Sequence, residues 1–509
     1  MAERVGIIDI GSNTIRLVIY ERLTSWQHFD EIENIKVSAR LRSYFDENHF
    51  LNNDGIELLI KTLEDFNNLL THYEVNEFTC VATASIRQAA NKNDILKIVE
   101  KKTKIAIKLL SEYEEAFYGF KAVIHSIPLQ QGLTIDIGGG STEVTYFENR
   151  NMVHFHSFPF GALSLKLQFV KQDIPSYQEI ENIRHFIDEQ LQKFPWISNK
   201  QVPVIAIGGS ARNVGQIHQL FSDYPLDEMH QYEMEVEDLT AIKERLLPLS
   251  YPELQKIDGL SKDRVDTILP AFEVFEAICK TASATKYIVS RRGLRDGILY
   301  EKWLNHDNHN LPLLDVSIEK FRKHFYIGSQ DEHQLTKIAT IFYEAVKKID
   351  RLGHSFSKED YKLLVLGARI YNLGNKVSTE TSSNTFTLIA NQTILGMSHR
   401  DRIKLALVAS YKGKGAFQKY IQPYKDWYTK EEQIKISILG AILKVSQSLN
   451  ISNKNTVVDV HINQEKADNW SLNISCNGYF RPEEYHVEKQ KKHLEKLLKI
   501  SISTSFFIS

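Results

Sequence analysis

The chain has 509 residues, 42% of them hydrophobic and 25% charged, which excludes wholesale disorder and gives room for about three or four domains. Lys plus Arg number 62 against 64 Asp plus Glu, a net charge of −2; this excludes a wholesale cationic nucleic-acid binder but leaves local patches open. Cys80, Cys279 and Cys476 are too few for a disulfide scaffold, and with no signal-peptide pattern and no apolar run of about 18 residues the expectation is a soluble cytoplasmic protein with no integral membrane segment.

Residues 5–20 read as strand, tight turn, strand. A β-branched run carries Asp9, the turn is Gly11-Ser12-Asn13-Thr14, and alternation resumes at Ile15 with Arg16 next to it. Residues 54–73 place Ile56, Leu59, Ile60, Leu63, Phe66, Leu69, Leu70 and Tyr73 on one helical face behind an Asn/Asp start signal. Residues 78–83 read as a short buried strand, and Arg87 follows it. Ser111 and Glu114 have the spacing of a capping box that opens a helix. Residues 133–147 then echo the first hairpin: an apolar run with Asp136, the turn Gly138-Gly139-Gly140-Ser141-Thr142, and Glu143. The two aspartates are 127 positions apart, about one domain length, so the echo predicts two related α/β halves facing each other. A third turn, Gly208-Gly209-Ser210, follows an apolar strand over 202–207. Past Trp303 the polar stretch 305–310 reads as a linker. Residues 311–449 are mainly helical, most clearly over 335–349 and 434–449. The tail reads as strands at 457–462 and 471–476, a helix at 483–498 and a last strand at 500–507.

The three turns share one chemistry. Glycine lets backbone amides approach an anion closely, and small hydroxyls add donors without bulk. One such turn is common in plain hairpins; three, two of them preceded by an aspartate, describe a cleft that cradles phosphates from both sides, with carboxylates placed for Mg²⁺. Asp9 and Asp136 sit within apolar runs, where an unpaired carboxylate is costly, and Glu143 points by alternation toward the same cleft. Glu114 is accounted for by the capping box. Glu115 is not, and a glutamate beside a phosphate cleft is a candidate base for activating water. Arg16 and Arg87 are candidates to grip phosphate oxygens.

In order and spacing, the segments around Asp9, Arg87, Ser111–Ala116, Asp136–Glu143, Gly208–Ser210, Lys262–Asp266 and Val289–Gly297 resemble the exopolyphosphatase / guanosine pentaphosphate phosphohydrolase family, over about residues 1–305. The resemblance implies a duplicated actin-like, ribonuclease-H-like α/β fold and hydrolysis of terminal phosphoanhydride bonds. It implies Glu115 as the water-activating base and Asp136 with Glu143, and Asp9 beside them, as ligands of Mg²⁺ or another divalent cation. Phosphate would be bound by Ser12, Asn13, Thr14, Arg16, Arg87, Gly138, Gly139, Gly140, Ser141, Thr142, Gly208, Gly209 and Ser210. The implied domains are 1–124, 125–305, a helical HD-like domain over 311–449 and a small α/β domain over 450–509. The segment that would carry the HD metal pair has Tyr371-Asn372 instead, so the pair is not retained. Inorganic polyphosphate is the expected substrate, guanosine pentaphosphate the alternative, and a homodimer the expected assembly. An actin-like kinase or a non-catalytic polyphosphate-binding regulator are the competing classes. Residues 351–430 hold 13 Lys and Arg against 5 Asp and Glu, a net +8, which predicts a basic channel for a long polyanion.

Overall fold

In a computed structural model the described residues are 2–23, 29–75, 77–304, 313–325, 329–349, 355–376, 379–466 and 468–508. By its internal contacts the chain divides into two compact units, Met1–Leu313 and Leu314–Ser509. The linker expected at 305–310 lies outside the described residues.

The first unit holds two sheets. One is formed by β1 (Ala2–Ile10), β2 (Ile15–Leu23), β3 (Asp30–Val37), β4 (Glu77–Ala82) and β5 (Ile107–Leu109), in the order β3-β2-β1-β4-β5. The other contains β6 (Gln131–Ile137), β7 (Thr142–Glu148), β8 (Asn151–Phe158), β9 (Val204–Ile207), β10 (Tyr232–Met234) and β11 (Tyr287–Val289), in the order β10-β11-β9-β6-β7-β8. Each begins as an antiparallel three-stranded meander and continues with two parallel strands, and the second sheet ends in β10, antiparallel to β11. The sequence echo is therefore a repeat of topology. Its register repeats too: Asp9 lies opposite Arg16, and Asp136 opposite Glu143, at equivalent places in the two hairpins. Both hairpin turns close in one way, Gly11 N–H donating to the Thr14 carbonyl at 3.0 Å and Gly138 N–H to that of Ser141 at 2.9 Å.

Separate cores back the two sheets. Helix Asn53–His72 packs Leu59, Leu63 and Phe66 under the first, with the cap predicted for it: the Asn52 side chain accepts from Gly55 N–H. Helix Ile268–Thr281, buried almost all round, fills the core of the second. Two further helices join the halves. Glu112–Ile124 packs against β6, β7 and β8, while Leu294–Trp303 returns the chain to β1. They cross at Gly297, where an added Cβ would stand 1.9 Å from the Tyr118 carbonyl oxygen. Tyr118, Ile298, Leu299 and Trp303 share a core there with Val5, Ile7 and Val18 of β1 and β2.

The second unit is helical up to Lys430–Ser448, followed by a sheet of β12 (Val457–Lys466), β13 (Asn469–Cys476) and β14 (Ser501–Ile508). The single tail helix expected over 483–498 is two shorter ones, Arg481–Gln490 and Lys492–Leu498, divided at Lys491. The three cysteines are buried and free, and among the described residues no helix is long and apolar enough to cross a membrane.

Candidate active site

Helix Glu112–Ile124 starts with the predicted capping box. Ser111 Oγ accepts from the Glu114 amide at 3.2 Å, and the Glu114 carboxylate accepts from the Ser111 amide at 2.9 Å. Glu114 is thereby held at the rim, where it also pairs with Lys108 at 2.5 Å. The next residue, Glu115, turns into a cleft of about 180 Å³. Around it stand Asp9, Asp136 and Glu143, the turns Gly11–Thr14, Gly138–Gly139 with Ser141, and Gly208–Gly209, and Arg16. The structure thus brings the predicted base, all three predicted metal ligands and parts of all three turns to one cavity.

Four predicted residues do not line it. Arg87, at the end of the short helix Ala84–Arg87, donates from Nη1 to Glu115 Oε2 at 2.8 Å and to the Leu110 carbonyl at 2.9 Å. Its Nη2 is buried and without a hydrogen-bond partner among the described residues. Thr142 donates to the Phe160 carbonyl at 2.7 Å, and Ser210 Oγ accepts from Arg264 at 3.3 Å. At Gly140 an added Cβ would stand 3.5 Å from the Ser12 hydroxyl.

The carboxylates are crowded. Burial pushes the Glu115 carboxyl up to about 7 against the pull of Arg87, and the negative charges of Asp136 and Asp9 add to the rise. Asp136 is raised to about 6 by burial and by Asp9, although Arg212, Arg295 and Arg264 oppose this. Glu143 lies well above the carboxylate range because it is buried and faces Glu115 and Asp136, despite accepting from Ser157 at 2.8 Å. Residues opposite one another in an antiparallel pair have Cβ atoms about 4.5–5.5 Å apart, so Asp136 and Glu143 form a matched pair of hard oxygen donors. Among the described residues no three His, Cys, Asp or Glu side chains converge closely enough to hold an ion by themselves. This donor set suits a cation that takes one or two carboxylates and fills its remaining positions with phosphate oxygens and water, the habit of Mg²⁺.

Cations that the sequence did not assign complete the cleft. Arg295 Nη1 pairs with Asp9 Oδ2 at 2.7 Å. Arg264 lies against Gly209, where an added Cβ would meet its guanidinium at 2.2 Å. Arg212, on the helix Gly208–Phe221 that starts at the third turn, also lines the cavity, and burial with the nearby Arg264, Arg295 and Arg16 lowers it to about 10. Arg264 and Arg295 lie in the segments Lys262–Asp266 and Val289–Gly297; that resemblance was the available signal, since neither residue follows a glycine turn. Carboxylates and guanidiniums confined in one cleft suit a group that carries both negative oxygens and a bound cation: a phosphate chain.

Comparison with known proteins gives the same picture. The profile of the Ppx/GppA phosphatase family matches residues 19–306. Exopolyphosphatase 1 of Mycobacterium tuberculosis is 26% identical over 309 residues, covering 59% of this chain and 88% of that protein. A guanosine-5'-triphosphate,3'-diphosphate pyrophosphatase of Pseudoalteromonas atlantica is 24% identical over 381 residues, 73% of this chain and 72% of its own. Among solved structures, the Aquifex aeolicus Ppx/GppA family member superposes with a TM-score of 0.53 at 25% identity, over 60% of this chain and all of that one. An exopolyphosphatase from Cytophaga hutchinsonii, at 22% identity, gives 0.55 over 58% and 97% and shares the fold.

Proposed function

The chain belongs to the Ppx/GppA phosphatase family, and from that premise we propose that it is an exopolyphosphatase, releasing orthophosphate one unit at a time from the end of inorganic polyphosphate. The observation that carries this reading is the placement of Glu115, a carboxylate poised near neutral pH, in a cleft lined by three amide-rich turns. A general base works best when its pKa lies near the operating pH. The terminal phosphoryl group lies against the amides of Ser12–Thr14, of Gly139 and Ser141, and of Gly208–Gly209. Glu115 takes a proton from water as the water oxygen bonds to the terminal phosphorus, and the bond to the bridging oxygen breaks, leaving the shortened chain as an anion. Most of the acceleration comes from positioning and from neutralising spread charge, as in other phosphoryl transfers.

Arg87 orients Glu115 through Nη1. Arg295 holds Asp9, while Arg212, Arg264 and Arg16 offset the substrate charge. Asp136 and Glu143 would hold Mg²⁺, which when bound supplies Lewis-acid polarisation of the phosphoryl oxygens. In the second unit, the helices before the three-stranded sheet are read as an HD-like domain without its metal pair, Tyr371-Asn372 standing in its place.

A second reading has a specific observation behind it: the Pseudoalteromonas relative named for a guanosine substrate matches over a longer stretch than the family profile does. Phosphate release from long-chain polyphosphate and from guanosine pentaphosphate, measured side by side with Mg²⁺, tests the choice. Faster turnover of polyphosphate is expected. Turnover of the nucleotide alone transfers the assignment to the guanosine activity, and no release from either removes the hydrolase reading.

A further inference from the structure

The two hairpin turns of the cleft are each held by a later segment of the same half. In the first, the Arg42 and Arg40 amides donate to the Ser12 and Asn13 carbonyls at 3.3 and 2.9 Å. In the second, the Ala162 and Ser164 amides donate to the Gly138 and Gly139 carbonyls at 3.0 and 2.9 Å. Across a planar trans peptide the carbonyl and the next amide point in opposite directions. These bonds therefore fix where the following amides point: Asn13 and Thr14 in one turn, Gly139 and Gly140 in the other.

The two holding segments meet on one carboxylate. Arg40 brings Nη1 to 3.8 Å from Asp266 Oδ2 and donates from Nη2 to the Asp263 carbonyl at 3.3 Å. Lys166, on the helix Ala162–Phe169 that holds the second turn, donates to the same Asp266 oxygen at 3.0 Å. Beside them Lys36, on β3, pairs with Asp263 at 2.6 Å. Asp266 is buried, and its Oδ1 has no hydrogen-bond partner among the described residues, so the two cations on Oδ2 are what offset its charge. Arg40 stands at φ 44 and ψ 45, a left-handed backbone that strains any side chain with a Cβ. Glycine would adopt it without strain but has no guanidinium to cross to the other half.

We propose that Asp266 is a positioning residue for phosphoryl transfer, a joint that ties Arg40 to Lys166 and so sets the spacing between the two phosphate-binding turns. This inference rests on the hydrolase reading of the cleft. A carboxylate repels the oxygens of the substrate, so Asp266 acts on the reaction through the two cations and not by touching phosphate.

The test is steady-state hydrolysis of tripolyphosphate by the full chain carrying Asp266→Asn, which keeps the shape and removes the charge. Taking a negative charge out of a cleft that binds a polyanion should leave KM equal or lower. Loosening the joint should lower kcat roughly tenfold or more, because misplaced reacting groups lose rate steeply. Arg40→Gly leaves the amide on Asn13 and suits the left-handed backbone, so it should lose kcat to a similar degree without a fall in its thermal midpoint. Hydrogen exchange followed by mass spectrometry reads the joint without turnover: peptides covering both turns should exchange faster in the two variants than in the parent. Parental kcat in Asp266→Asn, a loss of kcat confined to variants with a lowered midpoint, or unchanged exchange at both turns overturns the proposal. If the parent itself releases no phosphate, the hydrolase reading fails and the exchange rates alone decide whether the joint exists.

Discussion

Glu114 and Glu115 are adjacent and chemically alike, yet the structure gives them different work. Glu114 completes a capping box at a helix start, and Glu115 faces the cleft. Replacing Glu115 by Gln keeps its shape and one oxygen acceptor but removes the base, so kcat should fall roughly 10²–10⁴-fold with substrate binding largely kept. Glu114→Gln, which still closes the box, should stay within a few-fold of the parent. Steady-state phosphate release separates the two, and near-normal turnover by Glu115→Gln would sink the assignment. Asp136→Asn and Glu143→Gln each remove one hard anionic donor. Both should raise the Mg²⁺ concentration needed for half-maximal rate; a metal titration that overlays the parent curve in both variants rules out their role as ligands.

At the scale of elements, the helix Ile268–Thr281 carries an ion network into the core. Lys243, from helix Val236–Leu246, lies between Glu273, at 2.8 Å, and Glu276, which Lys280 and Thr240 also contact. Burial pushes the Glu276 carboxyl up, but hydrogen bonds from Lys243, Lys280 and Thr240 outweigh it and hold it down at about 2. A carboxyl depressed on folding contributes stability that is present above its unfolded value, about 4.5, and is lost as the pH falls toward 2. Thermal melts should therefore drop across that window. Lys243→Met leaves Glu276 with Lys280 and Thr240 and Glu273 with Arg184 alone, so it should destabilise at neutral pH by less than the about 3–5 kcal/mol of a fully stranded buried charge; a denaturation midpoint equal to the parent's would contradict this account. Much of this level was legible beforehand. The paired hairpins announced themselves through alternation broken by Gly and small hydroxyls, and the helix after Asn52 through its apolar face and start signal. The three-residue strands Tyr232–Met234 and Tyr287–Val289 were not, because so short a run has no period to read. Nor was the Asp9–Arg295 pair, whose partners are 286 positions apart and meet only when the second crossing helix returns to β1. Local pattern records which face of an element is buried, not which distant charge will be set against it.

For the whole molecule, a net charge near zero conceals two opposite halves. Residues 314–509 carry 29 Lys and Arg against 20 Asp and Glu, a net +9, and residues 1–313 carry 33 against 44, a net −11. Some of the basic residues are spent locally, Arg369 on Asp315 and Arg400 on Glu432, but the excess remains. Binding of a polyanion to such a surface is dominated by charge and weakens steeply with salt. Raising sodium chloride from about 50 to 200 mM, roughly a halving of the screening length, should therefore raise KM for chains of hundreds of phosphates much more than KM for tripolyphosphate, with kcat little changed. Parallel salt dependences for the two lengths would leave the basic excess as solvated surface.

The crossing at Gly297 sets a tolerance for the catalytic centre. Glu115 and Arg295 ride on the first turns of the two helices that meet there, and the Tyr118 carbonyl leaves no room for even a methyl group. A single added carbon at that contact acts as a wedge between two levers. It would spread the base and the Asp9–Arg295 pair apart at their tips without touching substrate, and misplacement of reacting groups by about 1 Å is enough to lose some 10²-fold in rate. Gly297→Ala is thus expected to lower kcat while leaving KM for long chains at the parent's value, so that the variant would take up polymer that it can no longer shorten.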